Sequence, residues 1–408
     1  MEADQGQIED RGESIRLMEP LLLSQDSKCR PELMDIAMDL ASKSSGFRRS
    51  LAPGIHEALA KLVRTMNCYY SNLIENHNTH PIDIERSLED DYSQDPKKRD
   101  LQLEAKAHII CQQWIDEGGL AGRTYTADGL LEIHRRFCEN LPDDLLWVDG
   151  HKNKERIRVT PGQMRTRDVK VGHHLAISPG ALPRFMERFE TEYSKLGKSE
   201  SILAAAAAHH RLVWIHPFMD GNGRVARLMS HAAMLETLDT GGVWSVARGL
   251  ARSEDKYKSL LQQSDLPRKN DLDGRGNLSE EALTDFTFYF LEVCRDQVVF
   301  MEGLAQPERL RTRILLWAEE EIRMKTLPEK AGKVLDILLY RGELPRGEIP
   351  EIIGAGDRHA RRVTSALLKA GVLTSKSPRA PLHLAFPAKL ADRWMPNLFP
   401  EKIDKSAQ

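Results

Sequence analysis

The spacing of apolar residues along this chain predicts a mainly helical protein. Over residues 31–74, 103–119 and 126–141, apolar positions recur every three or four residues, as on one face of an α-helix. Thr126 stands where a helix N-cap is expected. Between the first two segments, the acidic, proline-containing run 85–98 is expected to be a solvated loop.

Two later segments depart from simple helical spacing. Residues 156–178 alternate short β-branched positions with glycines at both bends, which predicts a β-hairpin. Helices resume at Pro183 and include the alanine-rich stretch 201–215, which must end before Pro217. From about residue 327 to 387, the pattern predicts three helices followed by a two-stranded wing.

Composition narrows the class of protein without naming a function. A chain of 408 residues with 41% hydrophobic and 29% charged residues is typical of a globular protein of two or three domains. The net charge of −3 gives no global attraction to nucleic acid. The acidic start does not resemble a signal peptide, and no apolar run approaches the roughly 20 residues of a membrane span, so no membrane partner is expected.

Five cysteines lie far apart and form no C-x-x-C pair, which argues against a disulfide framework or a zinc site. This usage fits a reducing compartment, and a cytoplasmic location is expected.

The segment 216–227, His-Pro-Phe-Met-Asp-Gly-Asn-Gly-Arg-Val-Ala-Arg, carries the chemistry. Gly221, Asn222 and Gly223 lie where a loop enters a helix, so backbone N–H groups and the helix dipole favour an anion there. Arg224 and Arg227 are three residues apart and share a helix face. Together these groups predict a site for a triphosphate or pyrophosphate.

Two further side chains of this segment add catalytic chemistry. Asp220, at the lip of the turn, suits Mg²⁺, which binds one or two carboxylates together with substrate phosphates. His216 has the type of side chain that serves as a general base near neutral pH. Eight specified residue types at this spacing arise by chance on the order of 10⁻¹⁰ per window, so a purely structural origin is a poor explanation.

This segment resembles the Fic signature H-x-F-x-[DE]-G-N-G-R-x-x-R at every specified position, and the wider resemblance covers about residues 29–301. The resemblance implies a Fic-type helical bundle with a β-hairpin flap, acting as a protein adenylyltransferase that uses ATP and Mg²⁺. His216 would deprotonate a Ser, Thr or Tyr hydroxyl of a target protein, which would attack the α-phosphate and release pyrophosphate. Asp220 would hold Mg²⁺.

The same resemblance implies how the phosphates are held. The turn from Gly221 to Gly223, with Asn222 and Arg224, would bind the α- and β-phosphates, and Arg227 would bind the γ-phosphate. The intact G-N-G favours AMP transfer over the phosphoryl transfer of the related Doc-type kinases. The chain lacks a P-loop signature.

Residues 71–76, Ser-Asn-Leu-Ile-Glu-Asn, resemble the inhibitory motif [ST]-x-x-x-E-[GN] of Fic proteins with an N-terminal inhibitory helix. Ser71 and Glu75 share a helix face. The resemblance implies that Glu75 pairs with Arg227 in the place of the γ-phosphate. The alternative is an ordinary helix end with Asn76 near the C-cap.

Two further candidates are weaker. The segment from Gly162 to Gly172, with Met164 and Val169, is expected to be the flap edge that docks a target backbone, or else a plain surface hairpin. Tyr257 is a candidate for the adenine pocket, or else a core tyrosine.

The C-terminal segment resembles a winged helix-turn-helix. Its third helix would present Arg358, Arg361 and Arg362 to DNA, or to a protein partner instead. The expected units are a polar arm (1–28), a Fic N-terminal region with the inhibitory helix (29–120), a catalytic core (121–301), a connecting helix (302–326) and the winged module (327–400).

Two alternative functions stay open at this stage. The same site can run in reverse and remove AMP, with Glu75 directing a water. The chain can also be a DNA-binding regulator with a nucleotide-sensing core, although sensing alone needs no His216. The sequence does not identify the target, and it leaves open whether the chain forms a homodimer.

Overall fold

The computed structural model describes residues 8–149, 155–172 and 174–399, and it is mainly helical, as the apolar spacing predicts. The predicted helices at 31–74 and 103–119 are present, and Thr126 caps its helix by accepting a hydrogen bond from the Gly129 N–H. The helices are α1 (Arg30–Ser50), α2 (Pro53–Ile74), α3 (Pro81–Leu88), α4 (Pro96–Asp116), α5 (Ala127–Cys138), α6 (Leu182–Tyr193), α7 (Lys198–Ile215), α8 (Asn222–Leu238), α9 (Val246–Arg252), α10 (Glu254–Ser264), α11 (Glu280–Ala305), α12 (Pro307–Arg323), α13 (Ala331–Arg341), α14 (Ile349–Ile353), α15 (Asp357–Lys369) and α16 (Ala391–Trp394).

The strands are short and all pair antiparallel. β1 (Trp147–Asp149) pairs with β2 (Arg156–Arg158), and β3 (Lys170–Val171) pairs with β4 (His174–Leu175). Near the C-terminus, β7 (Leu382–Leu384) lies between β5 (Glu343–Leu344) and β6 (Leu373–Thr374). Among the described residues, no helix combines the length and the apolar character needed to cross a membrane.

Helices α7 and α8 form the centre of the molecule, and the segment 216–227 joins them. The run Ala204–Ala208 is buried, and its small side chains let neighbouring helices approach closely. Helix α7 ends at Ile215 because Pro217 disfavours helical geometry at the residue before it, and His216 adopts a left-handed conformation with φ of 54°. The turn is therefore anchored by a fully packed helix on its N-terminal side.

The N-terminal region also packs against this centre. Helix α1 lies along α11, and α2 packs against α4 and α9. The expected loose arm at 1–28 differs from the structure, because Met18, Leu21 and Leu23 are buried against the core; residues 1–7 lie outside the described residues.

The predicted single hairpin over 156–178 is wrong in its extent. Residues 162–169 form turns and bends between the two short hairpins, so Gly162 and Met164 do not lie on a strand. The physical reason is Arg165, whose buried guanidinium donates to the carbonyls of His216 and Ile177, while its N–H donates to the Pro217 carbonyl. These bonds tie the segment to the motif instead of to a partner strand.

The C-terminal module has the predicted order of three helices and two strands, α13 to α15 followed by β6 and β7, with β5 as an additional short strand. Its assignment as a winged helix-turn-helix stays a prediction. The boundary expected at residue 301 falls inside α11, which continues to Ala305 before α12 begins at Pro307.

This C-terminal module covers helix α2. The Tyr70 hydroxyl of α2 donates to the Leu398 carbonyl at 2.9 Å. On the neighbouring helix α3, Glu85 Oε1 accepts from the Ala388 N–H at 2.6 Å. At the other end of α2, Gly54 lies so close to Gly342 that a Cβ on Gly54 would be 1.9 Å from the Gly342 oxygen. Helix α2 is thus packed at both ends against residues that lie beyond the region 29–301, over which the chain resembles Fic proteins.

Candidate active site

The turn between α7 and α8 is shaped by its own side chains. Phe218 is fully buried, and the Asn222 amide bridges its backbone, with Oδ1 accepting from the Phe218 N–H at 2.9 Å and Nδ2 donating to its carbonyl at 2.8 Å. Gly221 has a φ of 79°, which favours glycine. The Asn222 side chain is already hydrogen-bonded to Phe218. The expected phosphate contact of Asn222 would therefore be made by its backbone N–H, at the first position of α8.

His216 stands at the rim of this turn with its tautomer set by the fold. Its Nδ1 lies 3.1 Å from the Val213 carbonyl, so Nδ1 carries the proton and Nε2 keeps a lone pair. Burial lowers the pKa of His216 to about 4, so the ring is neutral at pH 7. A neutral imidazole beside an anion-binding turn is poised to accept a proton.

A second histidine, His134 of α5, lies outside the motif and packs against the turn between α7 and α8. The His134 ring stacks on Phe218 with ring centroids 4.0 Å apart and planes 7° apart. Its Nδ1 accepts a hydrogen bond from the Gly162 N–H at 3.0 Å, and burial lowers the pKa of His134 to about 4. Gly162 thereby joins the predicted flap segment to the motif.

Arg227 is buried, and two of its guanidinium nitrogens contact the end of α2. Its Nε donates to Ser71 Oγ at 2.9 Å, and its Nη2 donates to Glu75 Oε1 at 2.5 Å. Glu75 is the C-cap of α2, and the next residue, Asn76, takes a left-handed conformation with φ of 61°. Residues 71–76 thus form an ordinary helix end, and this helix end places the Glu75 carboxylate against Arg227. An inhibitory role for Glu75 stays a prediction.

The Glu75 carboxylate lies over the N-terminus of α8. A Cβ built on Gly223 would be 2.7 Å from Glu75 Oε1 and 3.0 Å from Arg227 Nη1. Burial alone would raise the pKa of Glu75, but the charges of Arg227 and Arg224 outweigh it and hold that pKa below its usual value. An anionic side chain thus lies against two of the residues that were predicted to bind phosphate, Gly223 and Arg227.

Arg224 has a separate carboxylate partner. Its Nη2 donates to Glu104 Oε2 at 3.0 Å, and His77 Nδ1 lies 2.7 Å from the same oxygen. The guanidinium carbon of Arg224 lies 5.2 Å from the centre of the Phe137 ring, and the Arg224 side chain is 6% exposed.

The remaining predicted residues fall in two different environments. Asp220 is exposed beside the turn, where a single carboxylate next to a phosphate site fits the ligand set of Mg²⁺. Tyr257 lies in the core, with its hydroxyl 2.7 Å from His209 Nε2 and its pKa raised by burial to about 12. This burial does not support its assignment to the adenine pocket.

The structure therefore places Gly223, Arg224 and Arg227 on the first turns of α8, directly after the turn that bears His216 and Gly221. Ser71 and Glu75 contact Arg227 from the end of α2. Sequence analysis missed Glu104, His77, His134 and Arg165. Each reaches the site from another element, and no local spacing marks it.

Comparison with known proteins finds relatives for part of this chain. Residues 124–234 match the Fic/DOC family. Protein adenylyltransferase Fic of Drosophila willistoni is 30% identical over 198 residues, covering 46% of this chain and 36% of that protein. The Drosophila erecta protein of the same name is 28% identical over 217 residues, covering 50% of this chain and 41% of that protein.

A solved structure gives the same fold at low sequence identity. A Fic family protein from Desulfovibrio desulfuricans G20 superposes with a TM-score of 0.51 and 14% identity, covering 89% of this chain and 98% of that one. That likeness concerns the fold alone. The chain spans less than half the length of the curated relatives it matches.

Residues 124–234 are therefore similar to the Fic/DOC family, within a chain that is mainly helical. It is distantly related to the protein adenylyltransferases named Fic.

Proposed function

We propose that this protein transfers AMP from Mg·ATP to a Ser, Thr or Tyr hydroxyl of a target protein. The observation that carries the proposal is the position of the neutral His216 imidazole beside a helix N-terminus that bears Arg224 and Arg227. The distant relatives named as protein adenylyltransferases support the same reaction.

In the proposed reaction, His216 Nε2 accepts the proton of the target hydroxyl. The hydroxyl oxygen forms a bond to the α-phosphorus, the bond from that phosphorus to the bridging oxygen of the β-phosphate breaks, and pyrophosphate leaves. The Val213 carbonyl accepts from the Nδ1 proton, which keeps Nε2 as the basic nitrogen and stabilises the imidazolium that forms.

The phosphates have backbone and side-chain donors on one face. The first N–H groups of α8 have no partner within the helix, and the absence of a side chain at Gly223 lets an anion approach them. Arg224 and Arg227 add charge-assisted hydrogen bonds. Asp220 would hold Mg²⁺, which neutralises phosphate charge when it is bound.

Glu75 is proposed to inhibit this reaction. Its carboxylate and a γ-phosphate would compete for Arg227 and for the space above Gly223. Because both are anions, they do not share the site at neutral pH.

The proposed docking edge for the target is the short hairpin of β3 and β4, with Val169 at its base. The Val169 carbonyl accepts from the Ala176 N–H at 3.1 Å, and strands of a two-stranded sheet each keep one edge for a peptide. Replacing Val169 with Pro is expected to impair modification of a target more than ATP binding; equal loss of both would contradict docking.

Incubation of the full chain with α-labelled ATP, Mg²⁺ and cell lysate tests the reaction. We expect label in proteins with Glu75→Gly, little with the wild type, and none above background with Glu75→Gly/His216→Ala. Mass spectrometry should find AMP on a hydroxyl side chain. Absence of label with Glu75→Gly would remove the proposed activity, and loss of AMP from a modified target without ATP would favour the reverse reaction.

A second proposed function rests on helix α15. Arg358, Arg361, Arg362 and Lys369 are all exposed and recur at helical spacing on this one helix. Such a face suits the phosphates of duplex DNA. We expect a salt-dependent mobility shift of labelled duplex by the full chain, which Arg358→Glu with Arg362→Glu abolishes; an unchanged shift would point to another surface.

A further inference from the structure

The two motif arginines each face a carboxylate, but the two carboxylates occupy different places. Glu75 lies over Gly223 and the first turn of α8, where a phosphate is expected. Glu104 reaches Arg224 from α4, and its contacts are with the Arg224 and His77 side chains. One carboxylate is therefore in the anion site, and the other stands beside it.

The Glu104 carboxylate is held as an anion. Burial would raise the pKa of Glu104, but its hydrogen bond with His77 and the charge of Arg224 hold that pKa below its usual value. The same hydrogen bond raises the pKa of His77. Glu104 thus presents a fixed negative charge to Arg224, with its side chain 15% exposed.

The contacts with Glu104 and His77 engage only part of the Arg224 guanidinium. Its contacts with Glu104 and His77 are both made through Nη2 at 3.0 Å. Its Nε is buried and has no hydrogen-bond partner among the residues that the structure describes. A guanidinium carries five N–H donors, so donors remain for a ligand oxygen after Nη2 is engaged. A buried donor without a partner is costly, and an incoming anion would remove that cost.

We propose that Glu104 is a positioning residue that holds Arg224 for the nucleotide phosphates, with His77 steadying Glu104. This inference rests on the proposed function, since it assigns Arg224 to phosphate binding. It gives the two carboxylates opposite effects: Glu75 excludes the nucleotide, and Glu104 prepares one of the groups that bind it.

The chain contains a matched control on the same helix. Asp116, at the end of α4, lies 2.9 Å from Arg64 Nε and 2.6 Å from His231 Nε2, which is the same arrangement of a carboxylate between an arginine and a histidine. It is twelve positions from Glu104, or about 18 Å along the helix. Asp116→Asn removes a comparable buried charge without touching either motif arginine.

The test compares Glu104→Gln and Asp116→Asn, each in the Glu75→Gly full chain. Equilibrium dialysis with Mg·ATP measures binding without any transfer reaction. We expect Glu104→Gln to weaken ATP binding about tenfold, the effect of losing one charge-assisted contact, and to raise KM more than it lowers kcat. Asp116→Asn should bind ATP like the Glu75→Gly parent, and Glu104→Asp should recover part of the affinity.

Two outcomes would overturn the proposal. Tighter ATP binding or higher AMP incorporation by Glu104→Gln would make Glu104 a second inhibitory group. Equal weakening by Glu104→Gln and Asp116→Asn would make it a merely structural charge. If the Glu75→Gly parent binds ATP but transfers no AMP, the proposed function fails while the binding comparison still decides the role of Glu104.

Discussion

Removing the Glu75 charge should activate the protein, and the structure sets the size of the effect. Two unit charges about 4 Å apart attract by ~4 kcal/mol at the effective dielectric constant of a protein surface. The Arg227 side chain is 2% exposed and that of Glu75 is 34% exposed, so solvent screens part of this attraction. Desolvation lowers the net value further, to ~1.5–3 kcal/mol, which corresponds to roughly 10–100-fold.

We therefore expect Glu75→Gly to raise AMP incorporation about 10–100-fold, measured as initial rates with α-labelled ATP. The matched control is Glu117→Gly. Glu117 is also the C-cap of its helix, α4, and is followed by a residue with positive φ, Gly118, as Glu75 is followed by Asn76. Its replacement has the same backbone effect at a helix end where the glutamate side chain contacts Gln113 and not Arg227.

The same substitution should change stability in the opposite direction. Without Glu75, the Arg227 charge is buried without its counter-ion, so we expect a lower melting temperature, restored by Mg·ATP. The inhibitory role would be refuted if Glu75→Gly left incorporation unchanged or lowered it while Glu117→Gly matched the wild type.

Three further predictions follow from the site. His216→Ala in the Glu75→Gly chain should lower the transfer rate by about 10²–10⁴-fold with ATP affinity retained, by rate and dialysis measurements; near-parental turnover would remove His216 from the mechanism. Asn222→Ala should lower the free energy of unfolding, measured in urea, by about 1–3 kcal/mol, because it leaves two Phe218 backbone groups unpaired. Asn140→Ala on the surface should lower it little. Burial lowers the pKa of His108 and of His209 to about 3, so below pH 6.5 the unfolded chain takes up protons that the folded chain does not. The urea concentration at the midpoint of unfolding should therefore be lower at pH 5 than at pH 7, and equal midpoints would contradict this.

Local patterns predicted the helices and the motif well. The run Ala204–Ala208, the Thr126 cap and the proline after His216 act over a few residues, so their effect is visible in the sequence. The contact between Glu75 and Arg227 was also predicted, but only through the family resemblance, because 152 positions separate the two residues and no local pattern links them.

What the sequence did not predict depends on contacts between distant elements. The segment around Arg165 does not pair as a strand, because the Arg165 side chain donates a hydrogen bond to the His216 carbonyl. Nothing in the alternation of residues 156–178 predicts this contact. Glu104 lies on an ordinary amphipathic helix, and only the packing of α4 beside α8 gives it a role. For Tyr257 the sequence left the adenine pocket and the core open, and its contact with the buried His209 favours the core.

The cover that the C-terminal module forms over α2 has a practical consequence for experiments. Tyr70, whose hydroxyl donates to the Leu398 carbonyl, immediately precedes Ser71, so the end of α2 that carries Ser71 and Glu75 is tied to a residue more than 300 positions away. A truncated protein that stops after α12 would uncover this face and let the segment fray. If Glu75 inhibits as proposed, rates measured on such a fragment would exceed those of the full chain, so the tests above use the chain through Phe399.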